Sequence, residues 1–555
     1  MSTSILPAKV SASYKSYNLD HLGLIAGLYD ELGIGECIDA LIPQDLEQRT
    51  LSVGQAVKAM VLNGLGFTQS ALYLTPHFFQ DKPVELLIGP GIQADDLNDT
   101  TLGRSMDSIY QYGATELYSL ISSQAVKKLG LDCRIGHLDS TSFHTDGRYN
   151  SEDEEVEDGV IRITKGYSRD HRPDLNQIGL QLICENQAGI PVLMESLSGN
   201  SVDKSSFNDV INTHIGQLKT DLGCEYLISD SALYTAKSLQ DMNHCFWVSR
   251  VPETIKLTHD IIAQVAPDLM ATPEQKSVRS LGCTYADIPQ RWVVIYSPEA
   301  RYRATKTLNK NTLKQTTALN KEFKQLCCQN FSCQEDAEKA LQTFKKKQTL
   351  IDIIVEPFEK IARYTGSGRP KKEQQPDRFD YQIRGRIQSL IQPYVTKLQR
   401  KSCFILATNQ LDCVHFSSED LIALYKEQQK VERGFRFLKD PLFMASNIFL
   451  KSPKRIMALM MIMTLCLLLY AALEYRIRQA LKQAKKTFPN QKGKAIPNPT
   501  ARWVFQFFSG IHVLCLTPHQ AVVLNLNQHQ ALLLNLLGER YEKLYSGNGA
   551  LGCGM

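Results

Sequence analysis

The sequence predicts an α/β protein in which a mixed sheet is flanked by helices, and three observations predict it. Residues 133–143, 161–164, 178–184 and 190–194 read as a strand meander, with a hairpin turn at 185–189. Residues 226–230 and 245–250 read as two further strands about a dozen residues apart, joined through a short helix, the rhythm of a βαβ unit. Helical periodicity dominates residues 1 to 130 and returns beyond 410.

In chain order, residues 22–29 and 52–62 carry helical patterns, Ser52 is a suitable N-cap, and 99–105 opens another helix. This N-terminal region suits nucleic-acid binding, dimerisation or both. The first part of an α/β core runs from 131 to 255. Within it the acidic run 151–159 reads as a solvated loop and not as a metal site. Residues 256–400 read as an insertion, with a strand at 291–297 and Lys-rich helix over 310–350. Inside it Arg369, Lys371 and Lys372 sit in a Gly-Arg-Pro-Lys loop, which suits either a DNA minor groove or an ordinary linker. Residues 401–480 return to the core, beginning with a strand at 404–409, and 481–555 read as a helical tail with a basic patch from Lys482 to Lys494.

With 555 residues and 43% hydrophobic content the chain forms more than one domain. A net charge of +4 is small, so any nucleic-acid footprint is local. The fourteen cysteines contain no paired Cys-x2-Cys spacing, which argues against zinc, and their scatter suits a reducing cytosol. Residues 456–473 carry no charge, near the threshold for spanning a bilayer. No second such segment exists, so a buried core helix and no membrane is the expectation.

Chemistry concentrates near residue 430. Tyr425, Gln428, Glu432, Arg436 and Lys439 fall within roughly 80° of one helix face, beside an apolar stripe of Leu424, Val431, Phe435 and Leu438. A phenol, an acid and two cations on one strip suit a site holding a metal ion and a phosphate backbone together. A solvated amphipathic helix carries the same pattern. Asp139 and Asp230 each end a strand, where ligands gather in α/β sheets. A lone aspartate there is usually a turn former. Two of them with a helical glutamate make a pattern.

With Asp139, Asp230 and the spacing of Tyr425, Gln428, Glu432 and Lys439, the chain resembles the DDE transposases of bacterial insertion sequences. The subgroup it is similar to carries a Tyr-x2-Arg-x3-Glu-x6-Lys helix and an insertion between the second Asp and the Glu. The segments Tyr167–Asp174 and Lys439–Pro441 add to the likeness. The resemblance implies an RNase H-like core and catalytic metal ligands Asp139, Asp230 and Glu432. It implies two Mg²⁺ or Mn²⁺ ions for metal-dependent DNA cleavage and strand transfer. Double-stranded DNA would be the partner, as terminal inverted repeats and target, with a homodimer in the DNA complex and a bacterial, nucleoid-associated location. Tyr425, Gln428, Arg436 and Lys439 would face DNA. Gln428 departs from the pattern, because a neutral amide replaces the phosphate-gripping Arg, and Arg436 is placed to substitute. A metal-dependent nuclease, or a non-catalytic DNA-binding derivative of the same fold, would share these residues.

Overall fold

The computed structural model describes residues 15–44, 49–67, 72–145, 149, 157, 159–168, 172–201, 213–214, 216–242, 245–346, 351–365, 374–440, 450–517 and 520–546. Two compact units are present: Met1–Val248 together with Ile422–Met555, and Ser249–Leu421.

The first unit begins with helices Leu22–Glu31, Ile34–Leu41, Val53–Gly64, Asp99–Tyr112 and Ala114–Leu129. Ser52 starts the third of them with a capping box: its hydroxyl accepts from Gln55 N, and Gln55 Oε1 accepts from Ser52 N at 2.9 Å. Gly130, with φ of 63°, stops Ala114–Leu129 in the left-handed region.

The sheet of this unit is built on strand β1, Ile135–Thr145. It pairs antiparallel with β2, Asn176–Glu185, which pairs in turn with β3, Pro191–Ser198. On its other side β1 runs parallel to β4, Tyr226–Ser229. Helix Ala236–Asp241 then leads to β5, Phe246–Arg250. The sheet is therefore mixed, as expected. The expected strand at 161–164 shrinks to Thr164–Lys165, paired with Gln177 and Asn176 at the end of β2. Its neighbours Ile161 and Ile163 are buried in the core without joining the ladder.

The second unit holds an antiparallel set, Ser277–Tyr285, Ile288–Tyr296 and Cys403–Thr408. Ile405 O also accepts from Val251 N, immediately past β5. A long hairpin, Ile351–Arg363 with Arg378–Ser389, stands beside helix Gln334–Lys346 and helix α1, Pro298–Cys327. These share a small core of Phe323, Ala337, Leu341, Ile353 and Ile383.

Returning to the first unit, helix α2 is Gln429–Leu438 and helix α3 is Pro453–Gln483. Helix α3 is the apolar segment noted in the sequence. It is the one helix among the described residues long and apolar enough to cross a membrane, yet 83% of its most apolar window is buried inside the protein. Ile456, Leu465 and Leu468 are fully buried, and Cys466 Sγ lies 3.9 Å from Val61 O of the N-terminal helices. An all-round apolar helix at the centre of a large core satisfies the same composition as a membrane span.

The tail is not wholly helical. Ala501–Phe507, Gln528–Leu537 and Glu539–Leu544 are helices, but His512–Thr517 and Gln520–Leu524 form a hairpin. Lys15–Asn18 adds to its edge in register Lys15↔Cys515, closing a three-stranded sheet from both ends of the chain. The strands His512–Thr517 and Gln520–Leu524 are short apolar runs, which periodicity does not separate from helix.

Candidate functional site

The last paired residues of β1 and β4 are Leu138 and Ser229, so Asp139 and Asp230 follow side by side on adjacent parallel strands. Neighbouring strands lie about 4.8 Å apart, and side chains alternate faces. Both carboxylates therefore leave the same face, shared with His137, Thr141 and Phe143 of β1. Each is oriented by a main-chain donor: Asp139 Oδ1 accepts from Ser140 N and Asp230 Oδ1 from Ala232 N, both at 2.8 Å. Asp139 is 7% exposed and Asp230 is half-buried.

Helix α2 lies across this face because its apolar stripe matches the sheet beneath. Val431, Phe435 and Leu438 join Phe143, Ile178, Leu180 and Leu182 in one core. Gly434 lets α3 approach closely, since a Cβ there would stand 3.0 Å from Leu467 Cδ2. Glu432 sits one residue round from Val431, on the rim of the stripe. Its side chain is 56% exposed, with Arg436 Nη2 4.0 Å from its carboxylate. Lys439 Nζ stands 5.6 Å above the Phe143 ring, on the Asp139 side of the sheet.

The single helix expected over 425–439 is instead two segments, Ser418–Lys426 and α2, joined by a turn at Glu427 and Gln428. Tight bonds from Lys430 N to Glu427 O and from Val431 N to Gln428 O mark the turn. Gln428 keeps helical dihedrals, so the face on which Tyr425, Glu432 and Lys439 were placed continues through it.

Gln428 itself is a correction. Expected to face DNA, it is buried at 7% exposure with both ends of its amide engaged. Nε2 donates to Leu138 O at 2.9 Å, and Oε1 lies 3.1 Å from His137 Nδ1. This orientation requires the proton on His137 Nδ1. The other ring nitrogen, Nε2, lies 2.8 Å from Asn186 Oδ1. Burial pushes the His137 imidazole below its ordinary value, against the two amide contacts, which raise it. Lys430 bonds Asn186 O and pairs with Glu427 at 2.7 Å. His137 and Asn186 were missed. For His137 a signal existed, since it precedes Asp139 by two on a strand and so shares its face.

The amide of Gln428 thus ties the glutamate helix to the backbone of the aspartate strand. Gln428→Ala strands the His137 N–H and the Leu138 carbonyl, at a cost of about 2–3 kcal/mol. Equilibrium denaturation of Gln428→Ala, His137→Ala and the double variant should give a coupling of about 1 kcal/mol or more. Strict additivity would show that the two side chains do not act as one clamp.

Among the described residues no group of three or more His, Cys, Asp or Glu converges tightly enough to hold a metal ion. The available donors are nevertheless carboxylates alone, two of them neighbours where the β1–β4 pairing ends and the third on a solvent-exposed, rotatable side chain. That donor set fits a hard divalent cation and not zinc. Tyr425 is half-buried and Arg436 is 72% exposed. Arg369, Lys371 and Lys372 lie outside the described residues.

An aspartate midway along β1, where the sequence reading had placed a strand end, and one just past β4 lie beneath a docked glutamate helix and define an α/β protein with an acidic site. Residues 132–469 match the family described as transposase DDE domain, and the chain belongs to that family, whose members generally use divalent metals. Residues 14–123 match a domain of unknown function, DUF4277. No curated protein matches the chain. Among solved structures it is similar to a piggyBac transposase synaptic complex with hairpin DNA, determined by cryo-EM. That similarity has a TM-score of 0.36 and 8% identity, covering 90% of this chain and 82% of the other.

Proposed function

We propose that the protein is a metal-dependent DNA transposase that cuts at the ends of its own element and joins them to target DNA. The observation that carries this is the register of β1 and β4, which sets Asp139 beside Asp230 on the face crossed by the Glu432 helix. Three carboxylates brought together repel one another, and divalent cations remove that repulsion. Asp139, Asp230 and Glu432 would hold two Mg²⁺ or Mn²⁺ ions, Glu432 by turning its exposed side chain inward. When bound, such ions activate the attacking hydroxyl and stabilise the leaving 3′ oxygen of an in-line displacement.

The chain's own residues do the rest. Asp139 and Asp230 are fixed by main-chain donors and need little reorganisation. Lys439 and Arg436 bind non-bridging phosphate oxygens, and Tyr425 positions the strand without attacking it. The Gly-Arg-Pro-Lys loop with Arg369, Lys371 and Lys372 contacts DNA, and a homodimer pairs the two ends. Gln428 acts from inside, by holding the helix that carries Glu432.

The test is incubation of purified protein with duplexes carrying the DNA that flanks its gene, in Mg²⁺, Mn²⁺, Ca²⁺, Zn²⁺ or EDTA. Nicked ends and joined products are expected in Mg²⁺ and Mn²⁺, with Ca²⁺ supporting binding and little cutting. Cutting without joining would make the protein a nuclease. Cutting in EDTA, or in Zn²⁺ alone, would remove the carboxylate-metal reading.

A further inference from the structure

Charge is divided unevenly between the two units. Residues 249–421 carry 27 Lys and Arg against 19 Asp and Glu, although the whole chain is only +4. Much of that excess lies on α1. Arg303, Lys306, Lys310, Lys314, Lys321 and Lys324 fall within about 80° of one another at 100° per residue. The buried residues of the helix, Ala304, Leu308, Leu319 and Phe323, lie on the opposite side. All six cations are exposed, and among the described residues none of them forms an ion pair.

A solvated helix normally intersperses acids at three- and four-residue spacing, where they pair with bases. Here the one acid at such spacing is Glu299, four before Arg303. From Lys306 to Lys324 the pairs Lys306–Lys310, Lys310–Lys314 and Lys321–Lys324 set like charges beside one another, which disfavours the helix. The column needs a counter-charge from outside. At 1.5 Å per residue it extends about 31 Å, close to one turn of duplex DNA.

We infer that this stripe is a binding surface for the phosphate backbone of duplex DNA. It is sequence-independent, because lysines spaced along an exposed helix neutralise phosphates without reading base edges. The inference rests on the proposed DNA function but not on the carboxylate chemistry.

The test is a fluorescence-anisotropy titration of the full chain with a labelled 30-base-pair duplex of arbitrary sequence, over a salt series. The triple variant Lys310→Gln, Lys314→Gln, Lys321→Gln alters only exposed side chains. Its slope of log affinity against log salt should be shallower by about 0.9 per lost contact, or about two to three in all. The matching triple Lys→Arg variant should keep the parent slope. A Gln variant with the parent's slope and affinity overturns the stripe while leaving the proposed function standing. A parent that binds no duplex at all overturns both.

Discussion

Asp139→Asn, Asp230→Asn and Glu432→Gln should each reduce DNA cleavage at least about a thousandfold, the scale of several kcal/mol of metal-derived stabilisation. Each substitution keeps size and removes one charged oxygen donor. Asp139 and Asp230 also accept main-chain bonds that Asn reproduces through its carbonyl, so the local backbone should keep its shape. The readout is single-turnover cleavage, with DNA affinity measured in parallel. Affinity should hold while cleavage falls. A variant that still cuts at the parent rate excludes its residue from the site. Glu432→Gln is the most searching of the three, because its side chain is the one most open to solvent.

The other large effect is on stability. Leu468, at the middle of α3, is fully buried among neighbouring side chains. Leu468→Ala should cost about 2–5 kcal/mol through lost burial and the cavity left behind. Leu468→Asp places an unpaired carboxylate in the same position, and about 4 kcal/mol or more is expected. Urea denaturation of the alanine variant and folded yield of the aspartate variant measure these. If the alanine variant unfolds at the parent midpoint, α3 is not core, and the bilayer reading of residues 456–473 returns.

Much of the first unit was legible because its signals are local. Strand-forming runs marked β1, β2 and β4, Ser52 with Gln55 announced a helix start, and the Glu432 helix carried its own amphipathic pattern. The apolar segment 456–473 was ambiguous on composition alone, and what resolves it is the N-terminal helices packed around it. The role of Gln428 was not legible. A glutamine beside an acid reads as surface, and only the return of β1 beneath the helix, nearly 300 residues away in sequence, supplies the carbonyl and imidazole that bury it. The tail hairpin was missed for a similar reason, since its edge partner Lys15–Asn18 comes from the opposite end of the chain. The basic stripe on α1 is present in the sequence as an excess of lysine, but its alignment opposite a buried face needs the helix to be in place.

The first unit is discontinuous, and that has a consequence for the order in which the protein is made. Ribosomes add about 5–20 residues per second, and domains fold as they emerge. Asp139 and Asp230 leave the ribosome with their strands, then wait about 10–40 s at that rate while residues 249–421 and the Glu432 helix are synthesised. The intervening unit is contiguous and free to fold during the pause. The sheet that Lys15–Asn18 joins is completed last, after residue 524. A nascent or prematurely terminated chain therefore holds its two aspartates without the helix that would complete the proposed site.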